Sequence, residues 1–238
     1  MLIGPPMLPT RIVGTMGIGR SAANRAGSKL APKVASGYVR TVLDHAIDGI
    51  GPIKSAMTSA NAKLVHGGGD VEVAVKALVK QHTTLAGVQG FVTNLGGLTT
   101  VAIAVPANIT GVALVQCHLV AGIVYLRGYD LEDPRVRNAI LACMLGRDSV
   151  EELVKMKKLP STPMTLATSP VHDPELDKLI SAEVTTELVR KVAGRRAATL
   201  VGRRVPLLGG AVGASTDALA TWQIGQYTAE EMCDRRLK

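Results

Sequence analysis

From Gln81 to Leu126 the chain contains no Asp, Glu, Lys or Arg. A charge-free stretch of that length is the most informative feature of the chain, because its most apolar part must be enclosed by protein or by lipid. Gly96, Gly97 and Pro106 divide it, which predicts separate segments rather than one helix. The last segment, Ala107 to Leu126, would span about 30 Å as a helix, enough to cross a bilayer core. Its apolar residues lie all round the helix axis, which predicts a helix inaccessible to water. Asn108, Gln116 and His118 temper the bilayer reading, because each is costly in hydrocarbon without a partner. The surrounding composition fits either environment: 47% of residues are hydrophobic but only 3% aromatic, with a single Trp222 and a single Phe91. The apolar mass is Ala, Val, Leu and Gly, suited to closely packed helices or to membrane association. With 238 residues there is ample material for a core, and disorder, a collagen-like fibre and a disulfide-stapled miniature are excluded.

The net charge is +8 and the sequence pI about 9.6. A basic chain favours anionic partners such as phospholipid headgroups, nucleic acid or acidic protein faces, and excess charge also serves solubility. The scarcity of aromatic platforms argues against base stacking, so no nucleic-acid partner is expected. Cys117, Cys143 and Cys233 are few and widely spaced, which suggests reduced thiols in a cytoplasmic compartment. Residues 1–33 form a Pro/Gly/Ser-rich basic arm without a continuous apolar stretch, read as flexible and not as a signal peptide. Residues 34–238 read as a single helical domain with a loop near 160–172.

Helical periodicity begins at Val39, Val42, Leu43, Ala46, Ile47 and Ile50, one apolar stripe, with Arg40, Asp44 and Asp48 on the opposite face. That polar face is expected to be solvated. Gly49, Gly51 and Pro52 end the helix, and Gly67–Gly69 form a turn before Asp70, a suitable N-cap. Glu72 and Lys76 follow in the favourable i,i+4 order. Gly128 suits a helix C′ position, Asp133 an N-cap and Pro134 a first helical turn. Val136, Ala139, Ile140 and Cys143 give the next stripe, closed by Gly146, and Ser149 with Glu152 matches a capping box opening a helix to about Leu159. Pro160 to His172 is the clearest loop. Asp173-Pro174 starts a long helix through Leu176, Ile180, Val184, Leu188 and Val192, which Pro206 is expected to stop. The Gly-rich apolar stretch from Leu207 to Ala214 then precedes a final helix holding Trp222, Ile224 and Tyr227. No alternating strand pattern of useful length appears. The fold class is all-α: a compact multi-helix bundle with a Gly-rich apolar central hairpin and no substantial β-sheet.

Candidate chemistry is sparse. Asp44, His45 and Asp48 could place ligands along one helix, but no second ligand cluster accompanies them, so no metal is expected. Cys117 and His118 are adjacent, and neighbouring helical residues point about 100° apart, a poor geometry for a nucleophile and its base. A partnered core histidine is the better reading. Gly67–Gly69 lacks the following Lys-Ser/Thr of a phosphate loop, and no motif for a cofactor or a serine nucleophile appears. The segment from Arg190 to Arg204 carries Arg190, Lys191, Arg195, Arg196, Arg203 and Arg204. On a helical wheel these spread around the axis, which suits a surface contacting phosphates better than an in-plane amphipathic helix. Gly209 and Gly213 have the small-xxx-small spacing of close helix packing.

The middle of the chain resembles the EcsC protein family. The residues carrying the resemblance are Gly90-Phe91-Val92-Thr93-Asn94-Leu95-Gly96-Gly97-Leu98, then Pro106, then Gly128-Tyr129-Asp130 with Asp133-Pro134. Ile140 to Gly146 follows, and Val205-Pro206-Leu207-Leu208-Gly209-Gly210-Ala211-Val212-Gly213-Ala214 with Asp217 is similar to the family's closing motif. The resemblance runs from about residue 38 to residue 232 and leaves the N-terminal arm outside. It implies a bacterial, predominantly helical protein, from a family named for its association with an ABC transporter operon. It implies no established reaction.

These readings lead to a non-catalytic helical protein at the cytoplasmic membrane face, peripheral or partly inserted. It would bind anionic phospholipid or a membrane protein, such as a transporter, with no cofactor, and a homo-oligomer is compatible with the sequence. Two alternatives stand beside it: a soluble scaffold whose apolar run is only its core, and a hydrolase of lipid-like substrates. The hydrolase would need an ordered polar constellation near His118 or His45.

Overall fold

The structure, a computed structural model, describes residues 37–95, 101–201 and 206–235, with side chains over 37–89, 111–187 and 215–235. Helix α1 (37–48) is followed by α2 (Ala56–His66), α3 (Val71–Leu95), α4 (Val101–Leu126) and α5 (Pro134–Leu145). Then come α6 (Arg147–Lys155), α7 (Pro163–Ala167), α8 (Pro174–Val201) and α9 (Pro206–Glu231). Among the described residues there is no strand, only an isolated bridge between Ile50 and Ile53. The protein is an all-α bundle.

Local chemistry sets most of the boundaries. Gly49, at φ +90°, ends α1 and donates to His45 O. Asp70 caps α3 by accepting from the Val73 N–H at 3.1 Å. At the end of α4, Gly128 has φ +83°, its N–H bonds Tyr125 O, and the next N–H, that of Tyr129, reaches back to Val124 O. That pair of bonds is a Schellman motif, which a residue with a side chain would enter only under strain. Asp133 caps α5 through the Arg135 N–H, with Pro134 in the first turn. Asp173 does the same for α8 through the Glu175 N–H.

Four boundaries and one ion pair differ from the sequence reading. Pro106 does not divide the uncharged run; α4 starts at Val101 and passes through it. Early in a helix, proline removes a single i→i−4 bond, and the remaining turns carry the helix on. Pro206 does not merely stop α8, which already ends at Val201; it opens α9, where its missing N–H costs nothing, and α9 runs unbroken to Glu231. Ser149 is no N-cap: the cap position of α6 is Gly146, three residues earlier and without a side-chain cap, and the helix ends at Lys155. The stretch 160–172 is not simply a loop. Pro163, Leu166 and Ala167 are buried in the short α7, which packs on α5. Glu72, placed for Lys76, is paired instead with Arg127, which follows α4 at the same open end of the hairpin.

Helix α4 is the axis of the bundle. Helices α3 and α4 run antiparallel, with His82 level with His118 and Leu78 against Gly122. Ala113, Cys117, Val120, Ala121 and Val124 face a large cluster shared with α1, α5 and α9. Leu119, Ile123 and Leu126 face a second cluster with Ala60, Ala74, Val75 and Leu78 of α2 and α3. Over its described side chains α4 is therefore core on both sides, whereas in the α3 part of the uncharged run Gln81, Thr84, Leu85 and Val88 are exposed. The α3–α9 contact is tight at Gly225, where an added Cβ would stand 2.9 Å from Val79 Cγ2 and 3.1 Å from Leu119 Cδ2.

Candidate functional site

Among the described residues, two clusters of polar side chains join three helices each. The first joins α2, α3 and α4. His82 Nδ1 lies 2.8 Å from Leu78 O, and its Nε2 lies 2.9 Å from His118 Nδ1. His118 Nε2 in turn lies 3.0 Å from Lys54 O and 3.4 Å from Ser59 Oγ. Both rings are buried, with centroids 5.1 Å apart. Burial pushes His82 down from the usual imidazole value to about 4 against the pull of the Leu78 carbonyl, and it lowers His118 as well. Both rings are thus held towards the neutral form at neutral pH.

Cys117 plays no part in this chain. Its thiol points at Met144 Sδ, 3.0 Å away on α5, and full burial raises its pKa far above the usual thiol range. A thiol held protonated in this way is a poor nucleophile. The neighbouring His118 is a partnered core histidine. Ser59 and the imidazole of His118 form the beginnings of a nucleophile and base, but Ser59 Oγ is the longest contact of the chain and Lys54 O competes for the same nitrogen.

The second meeting place joins α1, α5 and α8. Arg40 donates to Ser181 Oγ at 2.9 Å, to Asn138 Oδ1 at 2.6 Å and to Asp177 O at 2.9 Å. Asn138 Nδ2 donates to Asp177 Oδ1, which also accepts His172 Nε2 at 2.9 Å. Asp44 pairs with Arg137, which also reaches Glu132. The polar face of α1 is therefore not simply solvated, as its periodicity suggests: Arg40 and Asp44 face neighbouring helices, and only Asp48 is exposed. Asp44, His45 and Asp48 do not gather into a ligand set, and no group of three or more metal-ligating side chains converges among the described residues.

Between the end of α1 and the start of α2 lies an open groove of about 460 Å³, walled by Asp48, Gly49, Ile50, Lys54, Ser55 and Thr58. A neighbouring hollow of about 280 Å³ shares Asp48 and Ser55 and adds Met57, Tyr125 and Tyr129. The Lys54 carbonyl bonded to His118 links this groove to the buried histidine pair.

Of the residues singled out by sequence, Gly128, Asp133 and Pro134 shape helix ends, while Pro106 and Pro206 lie within α4 and at the start of α9. Gly209 and Gly213 fall within the span of α9, but their packing lies outside the described residues. So do Gly96, Gly97, Arg203 and Arg204 altogether. Arg190, Lys191, Arg195 and Arg196 belong to the last turns of α8, with side chains outside the described residues. Sequence reading missed His82, Ser59 and the close-packing Gly122 and Gly225. The signal for the first was present: His82 and His118 are the two histidines of the uncharged run. Among the described residues, no helix is long and apolar enough to cross a membrane. No family model, curated protein or solved structure matches this chain.

Proposed function

We propose that this chain is a non-catalytic helical module acting at the cytoplasmic face of the membrane, where it binds anionic phospholipid or a membrane-protein partner such as a transporter. The distribution of charge carries this reading. Between Leu188 and Val205 stand Arg190, Lys191, Arg195, Arg196, Arg203 and Arg204 with no Asp or Glu, whereas residues 37–187 hold slightly more acidic than basic residues. Each such cation near an anionic bilayer gains about 1 kcal/mol, so the segment as a whole suffices for reversible recruitment. Arg11, Arg20, Arg25, Lys29 and Lys33 add a second acid-free cationic stretch. Membership of the EcsC family belongs to the same proposal and rests on the residues quoted above.

The burial of α4 supports a peripheral, electrostatic mode over insertion. From Val112 to Leu126 most of its side chains are already inside protein. The same burial favours the second reading, a soluble scaffold whose uncharged run is its core. Flotation of the full chain with neutral and anionic vesicles at low and high salt separates them. The Debye length falls from about 10 Å at 0.1 M to about 3 Å at 1 M, so electrostatic recruitment should need anionic lipid and be released by salt. Charge reversal at Arg195 and Arg196 should weaken it. Retention in high salt would point to insertion, and no flotation under any condition would leave the scaffold reading.

A further inference from the structure

The acceptors around His82 and His118 fix how many protons the pair needs. A carbonyl oxygen only accepts, so the 2.8 Å contact to Leu78 O requires a proton on His82 Nδ1. The 3.0 Å contact to Lys54 O requires one on His118 Nε2. The 2.9 Å contact between His82 Nε2 and His118 Nδ1 requires a third. Two neutral imidazoles carry only two protons, so filling all three contacts gives the pair one positive charge. In the neutral pair one contact goes unfilled. If the two shortest bonds, to Leu78 O and between the rings, are kept, the other proton sits on His118 Nδ1 and donates to His82 Nε2. His118 Nε2 is then bare. It faces Lys54 O lone pair to lone pair, and the hydroxyl that can donate to it is Ser59 Oγ, at 3.4 Å.

We propose that His82 and His118 form a one-proton switch: neutral, His118 Nε2 accepts from the Ser59 hydroxyl, and protonated, it donates to the Lys54 carbonyl. The switch joins α3 and α4 to the segment entering α2. Because Lys54 and Ser55 wall the open groove, proton uptake tightens one side of that groove onto α4. A second proton would set two N–H groups against each other across the 2.9 Å contact, so the pair takes one proton for as long as α3 and α4 stay packed.

The surroundings oppose the charge and place the transition on the acid side of an ordinary histidine. Both rings are out of water, and Lys63 on α2 repels a proton on His82. On α3 the flanking Lys76 and Lys80 are exposed, and α4 has no charged residue between Gly111 and Leu126. Helix α9, packed on both α3 and α4, carries the buried Asp217.

The full chain, labelled with ¹⁵N at histidine, would be followed by NMR from about pH 8 to about pH 4, across the ordinary histidine value near 6.5. His82 Nδ1 should remain protonated throughout. His118 Nε2 should pass from bare to protonated at one midpoint below the ordinary value, and the Lys54, Ser55 and Ser59 amides should shift at that same midpoint. Ser59→Ala removes the donor that holds the neutral state, so its midpoint should rise. Ser59 is only half-buried, and unchanged circular dichroism would confirm that this variant folds. Two separate midpoints, a bare His82 Nδ1 at neutral pH, amides that ignore the transition, or a Ser59→Ala midpoint that stays or falls would each overturn the proposal.

Discussion

Arg40→Met tests whether the polar face of α1 is a structural joint or a solvated surface. Methionine keeps much of the aliphatic stem and removes the guanidinium. Three hydrogen bonds are lost, to Ser181 Oγ, Asn138 Oδ1 and Asp177 O. They are not equivalent. Ser181 Oγ still donates to Asp177 O at 2.6 Å, so both of those groups keep a partner. Asn138 is 2% exposed, and its Oδ1 is stranded. Stranding a buried acceptor costs about 1–3 kcal/mol, and each of the other two bonds contributes about 0.5–1.5 kcal/mol. Against this, the variant relieves the burial that lowers the pKa of Arg40 and the repulsion from Arg137, while giving up the attraction to Asp177 and Asp44. The net expectation is a loss of about 2–4 kcal/mol, or roughly 4–16 °C in melting temperature for a chain of this size.

Equilibrium urea unfolding reads this directly, as a lower midpoint at unchanged slope. Arg40→Met combined with Asn138→Leu should lose less than the sum of the two single changes, because the double variant leaves no stranded Oδ1. A loss below about 0.5 kcal/mol for Arg40→Met would refute the reasoning and restore the solvated-face reading.

Gly225→Val should destabilise by about 1–3 kcal/mol or more through overpacking, since even a Cβ there meets Val79 and Leu119; an unchanged urea midpoint would mean the α3–α9 contact is looser than described. Stability should fall as pH drops from about 6.5 towards about 4, because the unfolded chain protonates His82 before the folded one does, and His82→Gln should flatten that slope. Cys233 is exposed while Cys117 and Cys143 are buried with strongly raised pKa values, so a thiol reagent should modify one cysteine quickly in native protein and all three after unfolding.

What sequence made legible was punctuation that acts locally. Asp133-Pro134, Asp173-Pro174, Gly128 and Gly146 each answer to a backbone donor or a positive φ within a few residues, so their meaning survives without tertiary context. Pro106 and Pro206 did not read correctly. A proline states which N–H is missing but not whether a helix starts there or runs through it. Arg40 failed for another reason. A helical wheel tells which direction a side chain takes, not what stands opposite, and its partners Asn138 and Ser181 arrive from 98 and 141 residues away. His82 and His118, 36 residues apart, become neighbours only through the antiparallel register of α3 and α4.

The uncharged run posed a choice between lipid and protein as its enclosing medium, and the described half of α4 bears on that choice through its polar residues. In a bilayer Gln116 and His118 would need partners supplied from elsewhere. Here Gln116 Nε2 donates to Thr221 Oγ1 at 3.2 Å, and His118 is bonded at both ring nitrogens. Those partners come from α9, α3 and the start of α2, the same elements that bury the apolar side chains around them. Moving this part of α4 into lipid would break both polar contacts and open two hydrophobic clusters together. An encounter with a membrane that keeps the bundle intact must therefore use another part of the chain.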